Sequence, residues 1–271
     1  MALISRARRF WVYDTMVTNK EECVTGKSPS NNILIENIYC NWSGGCAIGS
    51  LGADTTISNI LYRNVYTWSS NLMMMIKPNS GSGHLKNVLF ENFIGHENAY
   101  SLDIDQYWSS MSAVDGAGIK LGNVTFDARS PGLDFISLML TTTTTTQNWK
   151  GTCANSLQYD PVKVICADGS PCSGVTISDF AMWTEKESKG WYSCRSAYGS
   201  GGFCLRDGSQ STPSYAVSAT IVLNHPRDIP LHRTMEGDLE TAFGYTLSIP
   251  IPTIPTSFSH FATLVSKLAG S

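Results

Sequence analysis

A chain of 271 residues, 42% hydrophobic and 15% charged with 23 glycines, has apolar matter for one large core and few signs of long amphipathic helices. Its net charge of −3 leaves no basic footprint for nucleic acid. The run of roughly eighteen apolar residues that crosses a membrane is absent from the sequence.

Phe10-Trp11-Val12-Tyr13-Asp14 reads as the first strand, in a coil without a predecessor, where a solenoid ordinarily carries a cap. Three copies of one phrase follow: Asn32-Ile33-Leu34-Ile35-Glu36-Asn37-Ile38, Asn59-Ile60-Leu61-Tyr62-Arg63-Asn64-Val65 and Asn87-Val88-Leu89-Phe90-Glu91-Asn92-Phe93. Their asparagines are spaced 27 and then 28 residues apart. A fixed period of this size marks a solenoid. Within each phrase apolar residues alternate at period 2, as in a strand. Stacked coils would place the asparagines above one another at a bend, where each amide can bond its neighbour and turn backbone groups. The fold expected is all-β, a right-handed parallel β-helix. Leucine-rich repeats also carry asparagine ladders, but the leucine frame they need is missing.

Weaker copies appear at Gly122-Asn123-Val124-Thr125-Phe126 and Gly174-Val175-Thr176-Ile177-Ser178-Asp179-Phe180. Between them residues 127–147, ending in six threonines, interrupt the repeat; they read as an insertion of the kind an in-frame retained intron leaves. The helix domain is expected over 10–207. A C-terminal extension, 208–271, would hold a linker at 209–214, a short helix at 237–243 and an extended Pro-rich tail at 249–255.

Eight cysteines suggest an oxidising compartment, with short-range pairings Cys23–Cys40, Cys166–Cys172 and Cys194–Cys204. No Cys-x-x-Cys pair occurs, so no metal site is expected. Asn41-Trp42-Ser43 and Asn123-Val124-Thr125 are glycosylation sequons, candidates at Asn41 and Asn123. Met1 to Arg9 lacks the apolar core of a signal peptide.

Glu21 and Glu22 stand side by side just before Cys23. Two carboxylates are what glycoside hydrolysis needs, one to protonate the leaving oxygen and one to activate water. A solvated charge pair is the plainer reading of any Glu-Glu. Asp103 and Asp105 alternate and so share one strand face, as substrate contacts or as a hydrated face. Lys77 and His96 are a candidate cation and a candidate imidazole, and Tyr100, Tyr107 and Trp108 are candidate stacking platforms.

The stretches VTNKEECVTGKSPSNNILIENIYCNWSGGCAIGSLGAD, YRNVYTWSSNLMMMIK, ENFIGHENAYSLDID and SIPIPTIPTSF resemble glycoside hydrolase family 28, the polygalacturonases and rhamnogalacturonan hydrolases. The resemblance covers most of the chain outside 1–9 and 127–147. It implies a right-handed parallel β-helix that hydrolyses a pectic polysaccharide with inversion and needs no cofactor. It also implies a secreted monomer. The family's acid pair falls on Glu21-Glu22, Glu21 replacing the Asp of the rhamnogalacturonan branch. The family's Gly-His-Gly position reads Gly45-Cys46-Ala47, and its Arg-Ile-Lys position reads Met75-Ile76-Lys77. Loss of the arginine suits a neutral rhamnose on the leaving side, while Lys77 remains to pair with galacturonate. His96 would supply an imidazole from a neighbouring coil. The family's first acid would fall within Met1–Arg9, which has no Asp or Glu, so the resemblance implies an N-terminally truncated chain, inactive if that acid is indispensable. A non-catalytic carbohydrate-binding β-helix, a polygalacturonase and a pectate-type lyase are the alternative readings; the lyase would need a calcium-binding acid cluster and a basic arginine.

Overall fold

A computed structural model describes residues 2–4, 7–78, 81–108, 118–127, 149–154, 160–178, 180–208 and 213–222. One parallel sheet, here sheet A, runs through β1 (Ala2–Ile4), β3 (Val24–Gly26), β5 (Cys46–Leu51), β7 (Leu72–Pro78), β9 (Tyr100–Asp105), β12 (Val162–Ile165) and β15 (Lys189–Arg195), and ends on the antiparallel β17 (Ala216–Val222). Sheet B runs from β2 (Arg8–Thr18) through β4 (Ser30–Asn41), β6 (Thr55–Trp68), β8 (Gly83–Asn98), β10 (Lys120–Asp127) and β13 (Cys172–Ile177) to β16 (Ala197–Ser200). Within sheet B, β11 (Trp149–Cys153) also pairs with β8 and with β14 (Phe180–Thr184). From β1 to β10 successive strands therefore alternate between the sheets, and each pairs in parallel with the strand one coil earlier. Such returns take the right-handed sense. The chain is the right-handed parallel β-helix that its repeat implies.

The asparagines explain how one long strand turns two corners. Asn32, Asn59, Asn87 and Asn123 all have φ between 53° and 58°, as do Asn37, Asn64 and Asn92. Asparagine tolerates this left-handed conformation better than other side chains. Each amide is both donor and acceptor, so it can pass a hydrogen bond along the stack. Asn59 Nδ2 donates to Asn32 Oδ1 at 3.0 Å, Asn87 to Asn59 at 3.1 Å, and Asn123 to Asn87 at 3.1 Å. The second ladder runs Asn92 to Asn64 to Asn37 and ends on Asp14 Oδ1. Asn64→Ala removes two of these bonds and forces an unsuited residue to φ 53°. A loss of about 1–3 kcal/mol is expected. Asn64→Gly, which accepts the conformation, should lose less; denaturant melts of both variants decide this.

Between corners, in-register positions stack apolar side chains into the interior. Ile35, Tyr62, Phe90, Phe126 and Ile177 form one column, and Ile38, Val65, Phe93 and Trp149 another. Phe93 stacks on Trp149 with ring centres 4.4 Å apart. All nine are at most 2% exposed.

The three suggested disulfides are formed: Cys23–Cys40, Cys166–Cys172 and Cys194–Cys204. Cys46 and Cys153 are buried free thiols, and burial pushes both up to about 12, which makes them unreactive. Sheet strands reach past both expected domain limits. β1 precedes residue 10, and β17 follows residue 207 by pairing with β15. Tyr215 anchors the approach to β17 by donating to the Ala197 and Cys204 carbonyls. The 128–147 part of the insertion, the 237–243 helix and the 249–255 tail lie outside the described residues.

Candidate active site

The outer face of sheet A is set by strand register. Ala47 pairs with Thr25 and Met75, Met75 with Asp103, and Asp103 with Lys163. The inward partners Cys46, Met74, Leu102 and Val162 fill the core. Period-2 alternation thus commits Asp103 and Asp105 to one outward face, as the sequence suggests.

The segment before β3 brings the acid pair to this face. Gly44 N–H donates to the Glu21 carbonyl at 2.6 Å, and Cys23 N–H donates to the Gly45 carbonyl at 2.8 Å. A Cβ on Gly44 would lie 2.9 Å from the Glu21 backbone. On Gly45, at φ 83°, it would lie 1.9 Å from the Leu72 carbonyl oxygen. Only glycines permit this approach. The Cys23–Cys40 bridge ties the same segment to the end of β4.

A groove of about 500 Å³ opens here. Glu21, Glu22, Asp103 and Asp105 line it, and so do Lys20, Lys27, Lys77 and Lys163. Lys77 Nζ donates to Glu22 Oε1 and lies 5.5 Å from the centre of the Trp108 ring. Burial pulls the Lys77 ammonium below its usual range, against the opposing pull of Glu21. Burial lowers Lys27 too, and among the described residues it has no ion-pair partner.

At the other end Lys163 Nζ contacts Asp105 Oδ2 at 2.5 Å. Asp105 Oδ1 accepts the Tyr107 N–H at 2.7 Å. Asp103 is 4% exposed, and its Oδ1 has no hydrogen-bond partner. Burial pushes its carboxyl up to about 7; Lys163 opposes this, and Asp105 and Asp160 add to it. Burial likewise raises Asp160. Burial works against the charge on Lys163, but Asp103 and Asp105 outweigh it and hold the ammonium above its usual range.

The elevated Asp103 has a stability signature. Below about pH 4 the carboxyl is protonated in both folded and unfolded chains. Between about 4 and 7 the folded chain keeps a proton that the unfolded chain has lost, so stability falls as pH rises. Above about 7 the penalty is complete. Relative to Asp103→Asn, the native chain is expected to lose up to about 1.4 kcal/mol per pH unit across that window. Melts of both proteins from pH 4 to 8 measure the difference, and parallel curves would contradict it.

Residues 3–131 match glycosyl hydrolases family 28. Probable rhamnogalacturonase B of Aspergillus fumigatus is 59% identical over 258 residues, 95% of this chain and 45% of that protein. Residues 3–131 thus carry the sequence pattern of glycosyl hydrolase family 28. Probable rhamnogalacturonase A of Aspergillus niger is 57% identical over 96% of this chain and 53% of its own length. Rhamnogalacturonase A of Aspergillus aculeatus is 56% identical over 96% and 54%. The chain spans about half the length of these curated relatives. Among solved structures, endopolygalacturonase I from Stereum purpureum, complexed with two galacturonates, has a TM-score of 0.45 at 19% identity, over 65% of this chain and 49% of that one.

Of the family-derived positions, Glu21, Glu22 and Lys77 meet in the groove, and Asp103 and Asp105 join them. Tyr100 and Trp108 line it as well, whereas Tyr107 packs under Arg195. His96 is not among the lining residues. It stacks on Trp68 at 3.9 Å and lies 3.9 Å from Glu185, which corrects its expected role as an imidazole for the acid pair. The reason is its register opposite Trp68 in sheet B, whereas the groove lies on sheet A. At the lost Gly-His-Gly position, Cys46 faces inward, with its Sγ 3.8 Å from that of Cys40, and Ala47 is fully buried. Asn41 is also corrected as a glycan acceptor: at 2% exposure between Thr18 and Trp68, its amide has no room for a sugar. Asn123 is exposed. Lys20, Lys27 and Lys163 were missed. The only sequence signal for Lys163 is the alternation of Val162-Lys163-Val164, which gives its face but not its partner.

Proposed function

We propose that this chain carries the groove of a pectin-degrading glycoside hydrolase that cleaves galacturonate–rhamnose bonds of rhamnogalacturonan with inversion. The observation that carries the reading is Glu21-Glu22 held by a glycine pair over a groove of four carboxylates and four lysines. The chain's similarity to proteins named rhamnogalacturonases supports the substrate.

Glu21, the exposed member, donates a proton to the leaving glycosidic oxygen. Glu22 activates the attacking water, and its ion pair with Lys77 fixes its position. As the chain's lysine for galacturonate, Lys77 reaches a sugar carboxylate from the same spot. Trp108 offers an apolar ring to a sugar face. Two carboxylates and water suffice for inversion, so the reading calls for no cofactor. Three disulfides suit a secreted, extracellular protein, and the pectic polysaccharide is its partner. Asn123 is its remaining glycan acceptor, and the protein acts as a monomer.

Release of reducing ends from rhamnogalacturonan and from polygalacturonan tests the proposal. Faster release from rhamnogalacturonan is expected. Preference for polygalacturonan would make the chain a polygalacturonase instead. Binding without any release would make it a carbohydrate-binding β-helix.

A further inference from the structure

The outer face of sheet B carries an exposed aromatic pair that the hydrolase reading does not use. Ile33 and Ile35 point into the core, at 2% and 0% exposure, so period-2 alternation turns Leu34 and Glu36 outward. Trp11 pairs with Leu34 and Tyr13 with Glu36, which puts both rings on that same face. Arg63 follows Glu36 on the next strand. None of these residues lines the groove, which lies on sheet A.

Trp11 is 55% exposed and Tyr13 is 52% exposed. Single exposed aromatics are ordinary on a protein surface. These two are held in place. Their ring centres lie 4.4 Å apart, and Trp11 Nε1 donates to Glu36 Oε1 at 2.8 Å. Arg63 Nε donates to Glu36 Oε2 at 2.6 Å and fixes the carboxylate from its other side. Among the described residues the two Nη groups of Arg63 have no hydrogen-bond partner. Rings ordered in advance lose little freedom when a ligand covers them. Among the described residues β2 is also the last strand of sheet B. A strand added to its edge would bond main-chain groups in the plane of the sheet and leave these outward rings uncovered. A pyranose suits them better, because its C–H face packs on an aromatic ring. Arg63 stands two strands from Tyr13, about 10 Å at the usual spacing, and offers its planar fork to a carboxylate on the next sugar.

We propose that Trp11, Tyr13, Glu36 and Arg63 form a second carbohydrate site, on sheet B, for a uronate-bearing polysaccharide. The rings stack on one sugar, Arg63 receives the carboxylate of its neighbour, and Glu36 positions both Trp11 and Arg63. The site binds and does no chemistry. A polymer held there and in the groove is held at two points, which raises its overall affinity above that of either site.

The indole N–H resonance of Trp11 reads this site alone, whatever happens in the groove. Its disappearance in Trp11→Phe assigns it. Titration of the native chain with an oligogalacturonate should shift the resonance to saturation. Tyr13→Ala should weaken that binding about tenfold by removing a stacked ring. Arg63→Met should weaken it about tenfold by removing the carboxylate's partner. Glu36→Gln keeps an acceptor for the indole and frees the Arg63 charge, so it should tighten binding a few-fold. Thermal melts establish that each variant is folded, and the opposite signs at Glu36 and Arg63 separate charge from damage. A resonance that the probe does not move, or an affinity unchanged in folded Tyr13→Ala and Arg63→Met, overturns the inference. So does a resonance that shifts with protein concentration alone, which would make this face a contact between copies of the chain. Product release from the groove is measured separately, so either reading can fail while the other stands.

Discussion

Glu22→Gln is expected to lower the rate of rhamnogalacturonan cleavage about 10²–10⁴-fold, or roughly 3–5 kcal/mol of transition-state stabilisation. Glutamine keeps the shape but cannot take a proton from water. The substitution has a second consequence, because Lys77 is 7% exposed and loses the carboxylate against its ammonium. A cation left in that position should cost about 1–3 kcal/mol of stability, less than a fully buried pair because Glu22 is partly exposed. The double variant Glu22→Gln with Lys77→Met separates the two effects. Its melting temperature should recover toward that of the native chain while its rate stays low. Recovery of the rate along with stability would mean that Glu22 acts only as a counterion.

Gly45→Ala should cost at least about 3 kcal/mol of stability and abolish cleavage together. The methyl would sit 1.9 Å from the Leu72 carbonyl oxygen, and the residue is held at φ 83°. Backbone must move to admit it, since the three nearest atoms all belong to the Leu72 main chain and none to a flexible side chain. Gly45 accepts the Cys23 N–H, so the displaced segment carries the acid pair with it. Gly52→Ala is the control: its methyl meets nothing within 4 Å. Thermal melts of both variants should show a large drop for the first and little change for the second.

Much of the architecture was legible because one residue type solves one backbone problem. A left-handed corner repeated every coil calls for asparagine, and Asn32, Asn59 and Asn87 announce it in print. The column of Tyr62, Phe90 and Phe126 follows once that register is fixed. Glu21, Glu22 and Lys77 were legible only through family resemblance, because a bare Glu-Glu has no directional signal. Lys163 was not, since the partner it finds in Asp105 lies across the interrupted part of the repeat. His96 misled because a lone histidine carries no mark of which sheet it belongs to. Asn41 misled because a sequon says nothing of burial, and its position between Thr18 and Trp68 is a matter of three-dimensional stacking.

The stereochemistry of the first product tests the central claim most directly. Proton magnetic resonance of a rhamnogalacturonan oligosaccharide, followed from the moment the protein is added, reads the new anomeric centre before it equilibrates. The groove is expected to deliver the inverted anomer, with saturated sugars at both new ends. A retained anomer, an unsaturated end or an intact oligosaccharide would contradict it.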